Sequence, residues 1–258
     1  MRQTANYHTH THRCHHAYGC EWEYVERAIA GGLKTLGFSD HTPWPKNDAW
    51  PKVRMKMEQL PEYIETIEAL RRIYGDRIQL LIGLEVEYLP DQFEALMEQL
   101  REDGRVQYLI LGQHFHCEEG YPASGKPFKE KERLARWVDN MIEGFHTGKF
   151  LYVAHPDVAN FKGNPFFYKK QMKRLCRAAK ECGLPLEING QGYRAGFYYP
   201  QNRFWKIAGK EGCKVVIGMD AHKPSGICDW KEMDHLMRIA KRYGLEILDE
   251  LEIKELFA

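Results

Sequence analysis

The sequence predicts an α/β fold in which helices cover a parallel sheet, arranged as a distorted seven-stranded (β/α)7 TIM-like barrel. Its 258 residues are close to the roughly 250 typical of one such barrel. Short β-rich runs alternate with amphipathic segments along the chain, and several of these runs are apolar almost throughout, as in strands buried on both faces. No internal repeat or Ser/Gly linker divides the chain, so we predict a single domain over residues 1–258.

The elements follow from these patterns in order. The predicted strands are residues 4–8, 35–38, 78–86, 107–111, 150–153, 186–188 and 214–217. The predicted helices are residues 21–32, 58–74, 91–101, 129–147, 165–182, 202–209 and 230–243. In the first helix the apolar stripe consists of Trp22, Val25, Ile29 and Leu33, and in the second of Leu60, Ile64, Ile67 and Leu70. Two proline-rich loops, 42–51 and 118–127, are predicted to lie over an active site.

Composition excludes several classes of protein. With 37 Lys and Arg against 36 Asp and Glu, the net charge of +1 provides no field that would hold the chain on nucleic acid or an anionic membrane. No apolar run approaches the roughly 20 residues of a membrane span, and the polar start MRQTANYHTHTHR does not resemble a signal peptide. We therefore expect a cytoplasmic protein with reduced thiols, since its seven cysteines include no C-x-x-C pair.

Side chains of residue types that can bind metals fall at the ends of the predicted strands. In chain order they are His8 and His10, Asp40 and His41, Glu85, His114, His155, Glu187 and Asn189, and Asp220 and His222. The carboxyl ends of barrel strands meet at one mouth, and the H-x-H spacing presents two imidazoles to the same side of an extended segment. Imidazole and carboxylate ligands suit Zn, Mn or Fe. The number of ligands predicts two or three divalent ions with a carboxylate between them.

Other motif classes are weak. The chain lacks a G-x-S-x-G elbow, a phosphate-binding P-loop and a G-x-G-x-x-G fingerprint after a strand. A thiol nucleophile at Cys14 beside His16 is disfavoured because no third group is visible to orient the base. The remaining histidines lack a strand-end context or compete with a better-placed neighbour, and we interpret them as non-ligands: His12, His15, His116, His146 and His235.

Eight short motifs follow one another along the chain. They are H-T-H at 8–10, C-H-H at 14–16, GFSDH at 37–41, GLEVEY at 83–88, LGQHF at 111–115, AHPD at 154–157, EIN at 187–189 and GMDAH at 218–222. With them the chain resembles the PHP (polymerase and histidinol phosphatase) superfamily, and within it the monofunctional histidinol-phosphate phosphatases. The resemblance implies a trinuclear centre. Its metal ligands would be His8, His10, Glu85 and Asp220 for one ion, Glu85, His114 and His155 for a second, and His16, His41 and His222 for a third. Met219 stands where the family often has Ser.

The resemblance implies hydrolysis of L-histidinol phosphate by a metal-bound hydroxide, with no catalytic residue beyond the metal ligands. Asp40 and Asp157 would orient imidazoles, and Arg194 would bind the phosphate through its guanidinium fork. Three alternatives stay open at this point: a PHP-type phosphoesterase for a nucleotide, sugar or phosphotyrosyl ester, an amidohydrolase-like metal hydrolase, and a non-catalytic metal-binding module. The expected partner is a small phosphate ester, with neither nucleic acid nor membrane bound.

Overall fold

Eight parallel strands form one curled sheet whose order follows the chain, in a computed structural model that describes residues 3–46, 50–116 and 122–257. The strands are β1 Ala5–Asn6, β2 Thr35–His41, β3 Gln79–Val86, β4 Tyr108–Leu111, β5 Phe150–Val153, β6 Leu186–Asn189, β7 Lys214–Gly218 and β8 Glu246–Ile247. The predicted α/β barrel-like fold is confirmed, but the prediction of seven strands is wrong. The additional strand, β8, has two exposed residues, which is too short for hydrophobic alternation to reveal it.

Eight helices are described outside the strands. They are α1 Glu21–Gly31, α2 Leu60–Tyr74, α3 Pro90–Asp103, α4 Lys131–His146, α5 Pro165–Glu181, α6 Gly190–Arg194, α7 Asn202–Glu211 and α8 Trp230–Tyr243. Local chemistry sets several of their ends. Before α5, for example, the Asn164 side chain accepts hydrogen bonds from the backbone N–H groups of Phe166 and Phe167, and Pro165 occupies the first helical position, where its missing N–H costs nothing.

The core lies between the sheet and the helices. Every residue of β2 is buried, as expected for a parallel strand covered on both faces. On α2 the predicted apolar face, Leu60, Ile64, Ile67 and Leu70, is buried as a unit. On α1 the prediction is wrong for Trp22, which is 52% exposed, because the helix is rotated so that Tyr24, Val25 and Ala28 face the core.

The segments that follow β1 and β7 meet each other. Thr9 forms a parallel bridge to Ala221, and the backbone N–H of His10 donates to the Ala221 carbonyl at 3.0 Å. At the opposite end of the barrel, β8 pairs with β7, and the following Asp249 accepts a 2.8 Å hydrogen bond from the Thr4 backbone. Residues just after β1 and just after β7 therefore lie side by side at the carboxyl end of the barrel.

Within the described residues, no helix is both long and apolar enough to cross a membrane. The six cysteines in this part of the chain are free. Parts of both proline-rich loops, residues 47–49 and 118–121, lie outside the described residues, as does Cys117.

Candidate metal centre

Glu85, near the end of β3, lies at the centre of a cluster of imidazoles. Its Oε1 is 2.7 Å from Nε2 of His155 and 3.6 Å from Nε2 of both His8 and His114. Its Oε2 is 2.8 Å from Nδ1 of His41 and 3.6 Å from Nε2 of His10. One carboxylate therefore faces a different set of imidazoles with each oxygen, as a carboxylate shared by two cations would.

Asp220, two residues after β7, is a second centre. Its Oδ1 lies 3.1 Å from His10 Nε2, 3.3 Å from His222 Nδ1 and 3.5 Å from His8 Nε2. Beyond His222, the Nε2 atom of His16 lies 3.0 Å from the Nε2 atom of His222. The structure thus brings all nine residues that the sequence proposes as ligands into one cluster.

The ligand atoms fall into overlapping groups whose members lie within 4.8 Å of one another. These groups include His8 with Glu85 and His155, His8 with His10 and Asp220, His10 with His41 and His222, and Cys14 with His16 and His222. The group of His8, His10 and Asp220 falls within one ligand set implied by the resemblance, whereas the group of His8, Glu85 and His155 joins residues of two sets that share Glu85. The others add His10 and the Cys14 thiol to the surroundings of His222.

The hydrogen bonds of the cluster indicate that it fits cations. The Nδ1 atom of His8 is 2.8 Å from Glu187, and that of His10 is 3.2 Å from Asp40. Because a carboxylate only accepts, both Nδ1 atoms donate, and the two Nε2 atoms lie 3.1 Å apart. In the neutral form that binds a metal, each of these Nε2 atoms carries a lone pair. The buried Glu85 Oε2 and Asp220 Oδ1 atoms accept no hydrogen bond of good geometry from the described residues, although His41 Nδ1 and His10 Nε2 lie 2.8 and 3.1 Å away. A divalent cation would satisfy these lone pairs together.

The charges of the cluster shift its pKa values strongly. Burial lowers the pKa of His8, but three carboxylates outweigh burial and raise that pKa to about 10. For His41 burial dominates and lowers the pKa to about 3. Burial also acts to raise the pKa of Glu85, yet the nearby imidazoles, His41 foremost, hold it well below its usual range. The acids are therefore ionised and attract positive charge into a buried site.

Two buried carboxylates outside the proposed set of ligands, Glu187 and Glu87, hold the imidazoles in place. Besides His8, Glu187 accepts hydrogen bonds from the His155 backbone N–H at 3.0 Å and from Tyr152 at 3.2 Å. Glu87 lies 3.0 Å from His114 Nδ1. Their sequence signals are a strand-end position for Glu187 and, for Glu87, its place two residues after Glu85, which sets both side chains on the same side of an extended segment.

Two glycines in the motifs allow this close packing. A Cβ atom at Gly112 would lie 2.0 Å from Glu85 Oε1, and one at Gly218 would lie 1.7 Å from Glu187 Oε1. A side chain at either position would displace a carboxylate from the cluster. The glycines of LGQHF and GMDAH thus have a steric role next to the ligands.

Asp40 and Asp157, proposed to orient imidazoles, and Arg194, proposed to bind phosphate, have different kinds of partner. Asp40 contacts His10, as described above. Asp157 instead accepts a hydrogen bond from the Gln201 backbone at 2.5 Å, and burial raises the pKa of its carboxyl to about 7. The guanidinium of Arg194 binds Glu232 at 2.8 Å, rather than projecting as an unpaired phosphate ligand.

The histidines interpreted as non-ligands have other surroundings. His12 and His15 are exposed, His116 packs edge-on against Phe128, His146 lies near Cys182, and His235 stacks on Tyr193.

We expect Glu187→Gln to weaken metal binding about 10- to 100-fold, the usual cost of losing the partner of a metal-bound histidine. The substitution keeps the shape of the side chain but removes the charge that fixes the His8 tautomer. Competition with a chromogenic chelator measures the effect. Glu246→Gln, which alters an exposed pair with Lys214, is the control, and equal affinities in both variants would contradict the role of Glu187.

A cavity of about 350 Å³ opens above the cluster. Residues from the cluster form its floor. Its walls carry two pairs of aromatic side chains, Trp50 with Phe115 and Phe197 with Tyr199. The Trp50 and Phe115 rings are 5.2 Å apart, and those of Phe197 and Tyr199 are 5.9 Å apart. The cluster is therefore accessible to a small molecule through an aromatic entrance.

Comparison with known proteins identifies the class to which this barrel and its cluster belong. The model of the PHP domain family matches residues 6–191. The chain belongs to the PHP family, as the sequence motifs predicted.

Its relatives include histidinol-phosphatases. The chain is 30% identical over 229 residues to a probable histidinol-phosphatase of Deinococcus radiodurans, covering 85% of this chain and 86% of the relative. It is 25% identical over 247 residues to a probable histidinol-phosphatase of Schizosaccharomyces pombe, covering 84% and 80%. The fold is also that of the histidinol phosphate phosphatase of Lactococcus lactis, solved with zinc, L-histidinol and phosphate, with a TM-score of 0.72, 19% identity and coverage of 97% of this chain and 99% of that one.

Proposed function

We propose that this chain is a metal-dependent phosphomonoesterase that hydrolyses L-histidinol phosphate to L-histidinol and phosphate. The observation that carries the proposal is the Glu85 carboxylate, which faces separate groups of imidazoles with its two oxygens. The relatives named histidinol-phosphatases support the phosphatase class, and the zinc, histidinol and phosphate in the Lactococcus lactis enzyme support the metal and the substrate. We further propose one domain over residues 1–258 in a cytoplasmic enzyme.

The proposed centre holds up to three divalent ions, of Zn, Mn or Fe. His8, His10, Glu85 and Asp220 would hold one ion, Glu85, His114 and His155 a second, and His16, His41 and His222 a third. Bound divalent ions supply a hydroxide nucleophile at neutral pH and offset the charge of phosphate oxygens. The chain itself orients the imidazoles through Asp40, Glu187 and Glu87.

The walls of the cavity suit the alcohol half of the proposed substrate. L-histidinol carries an imidazole and an ammonium group, and aromatic faces attract such cations. The carboxylates among the described lining residues are already engaged, since Glu85 and Asp220 belong to the cluster and Glu87 pairs with Arg54 at 3.0 Å. Recognition of the cation then falls to the aromatic walls, in which Trp50 and Phe197 remain substantially exposed.

The substrate is tested with a panel of esters. Metal-loaded protein is incubated with L-histidinol phosphate and with nucleotide, sugar and phosphotyrosyl esters, and kcat/KM is compared. We expect a clear preference for L-histidinol phosphate. Preference for another ester would overturn the substrate, and one ion per chain without phosphatase activity would indicate an amidohydrolase-like enzyme instead.

We expect Phe197→Leu and Trp50→Leu each to raise KM for L-histidinol phosphate roughly 3- to 30-fold, the factor that corresponds to one cation–π contact. Because neither ring belongs to the metal cluster, kcat should change little. Steady-state kinetics separate the two constants. Phe166→Leu, at an 81% exposed position on α5, serves as the control, and unchanged KM values in both wall variants would exclude this mode of recognition.

A further inference from the structure

We infer that Arg194 is a positioning residue for Asp220 and thereby for the metal centre. Arg194 ends the short helix α6, and Asp220 follows β7. The inference rests on the proposed metal centre but not on the proposed substrate.

The guanidinium of Arg194 binds two successive backbone carbonyl groups, those of Met219 and Asp220. Its Nη2 atom donates to the carbonyl oxygens of Met219 at 2.9 Å and of Asp220 at 3.0 Å. The same atom lies 3.1 Å from the Gln191 side-chain oxygen. These contacts fix two successive carbonyl groups in a segment that no longer belongs to the sheet.

That segment needs such support because its backbone is unusual. Asp220 has a φ of 45°, in the left-handed region that costs a non-glycine residue about 1 kcal/mol or more. In this conformation the carboxylate faces the imidazoles, with Asp220 Oδ1 3.1 Å from His10 Nε2. On the other side, Asp220 Oδ2 accepts from the Asn189 amide at 2.9 Å. Backbone and side chain are thus held by separate partners.

Glu232 of α8 holds the arginine in turn. Both of its carboxylate oxygens lie 2.8 Å from Arg194 Nη1, and the Glu232 side chain is only 3% exposed. The carboxylate offsets the charge of the guanidinium, and both terminal nitrogens of Arg194 are engaged. A guanidinium arranged in this way transmits the position of α8 to Asp220, whereas a phosphate ligand would need donors directed into the cavity.

The test uses Arg194→Met, together with Glu232→Gln, which leaves the arginine in place but removes the charge that holds it. Zinc affinity is measured without substrate by competition with a chelator. We expect Arg194→Met to weaken zinc binding about 10- to 100-fold and Glu232→Gln to weaken it in the same direction. Arg194→Lys, which restores a donor to the carbonyls, should recover part of the loss. Arg174→Met, at an exposed pair with Asp139, should bind zinc like the unmodified protein.

A second measurement separates positioning from phosphate binding. At saturating zinc, inhibition by inorganic phosphate should be unchanged in Arg194→Met and Glu232→Gln. Unchanged zinc affinity with phosphate inhibition weakened tenfold or more would overturn the inference and make Arg194 a phosphate ligand. If Arg194→Met does not fold, as judged by circular dichroism, Glu232→Gln decides alone, and wild-type zinc affinity in that variant would contradict the inference. Failure of the unmodified protein to bind zinc would contradict the proposed function instead.

Discussion

Replacement of Glu85 by Gln is expected to lower kcat/KM for the phosphate ester by far more than the roughly 10- to 100-fold cost of losing an outer partner of a metal ligand. Glu85 faces His155 with one oxygen and His41 with the other. An amide has only one acceptor oxygen and no charge, so it cannot serve two ions in the same way. His114→Ala, which removes a single imidazole from the same cluster, is expected to lower turnover by orders of magnitude as well.

Circular dichroism and thermal unfolding establish whether these variants remain folded, and bound metal is counted in parallel. Glu246→Gln, on the exposed strand β8, is the matched control for Glu85→Gln. Wild-type turnover in either Glu85→Gln or His114→Ala would exclude the proposed assignment of ligands.

Removal of the metal by a chelator is expected to abolish activity and to destabilise the protein. A ligand that binds only the folded state and is present at about 100 times its Kd raises the free energy of unfolding by about 2.7 kcal/mol. Its removal corresponds to a fall in Tm of roughly 5–10 °C for a chain of this size. Zn or Mn added back should restore both properties. Activity that survives exhaustive chelation, with no metal detected, would contradict a metal-dependent mechanism.

Metal rebinding should also release protons. The pKa of His8 is raised to about 10 by the surrounding carboxylates, so at pH 8 its imidazole is protonated in the metal-free protein. A metal ligand must be deprotonated, and affinity should therefore rise as the pH rises toward 10. Calorimetry in buffers of different ionisation enthalpy counts the released protons, and the absence of proton release at pH 8 would contradict a protonated His8 in the metal-free protein.

Long periodic elements were the most predictable part of the fold. The helix at 230–243 and the strand at 150–153 were predicted with the bounds that the structure shows. Helix α6 and strand β8, with five and two residues, are too short to show a period. The rotation of α1 that exposes Trp22 depends on its neighbours, which a single stripe of apolar residues does not reveal.

Most of the cluster could be predicted because strand ends of a parallel barrel converge, so a His, Asp or Glu at a strand end was placed at the mouth. His16 lies at no strand end and was implied only by the resemblance to the PHP superfamily. The partners of Arg194 and Asp157 could not be predicted from the sequence. Glu232 lies 38 residues from Arg194, and no periodic pattern connects them. Whether a buried charge meets a ligand or another side chain depends on packing between elements that are distant in the chain.

The bridge between Thr9 and Ala221 has a consequence for biosynthesis. During translation, His8 and His10 leave the ribosome more than two hundred residues before Asp220 and His222. A nascent chain therefore carries an incomplete set of the proposed ligands over that interval, and loop closure over that length is slow. If these residues are ligands as proposed, the full set of ions can bind only after the segment that carries Asp220 and His222 has been synthesised.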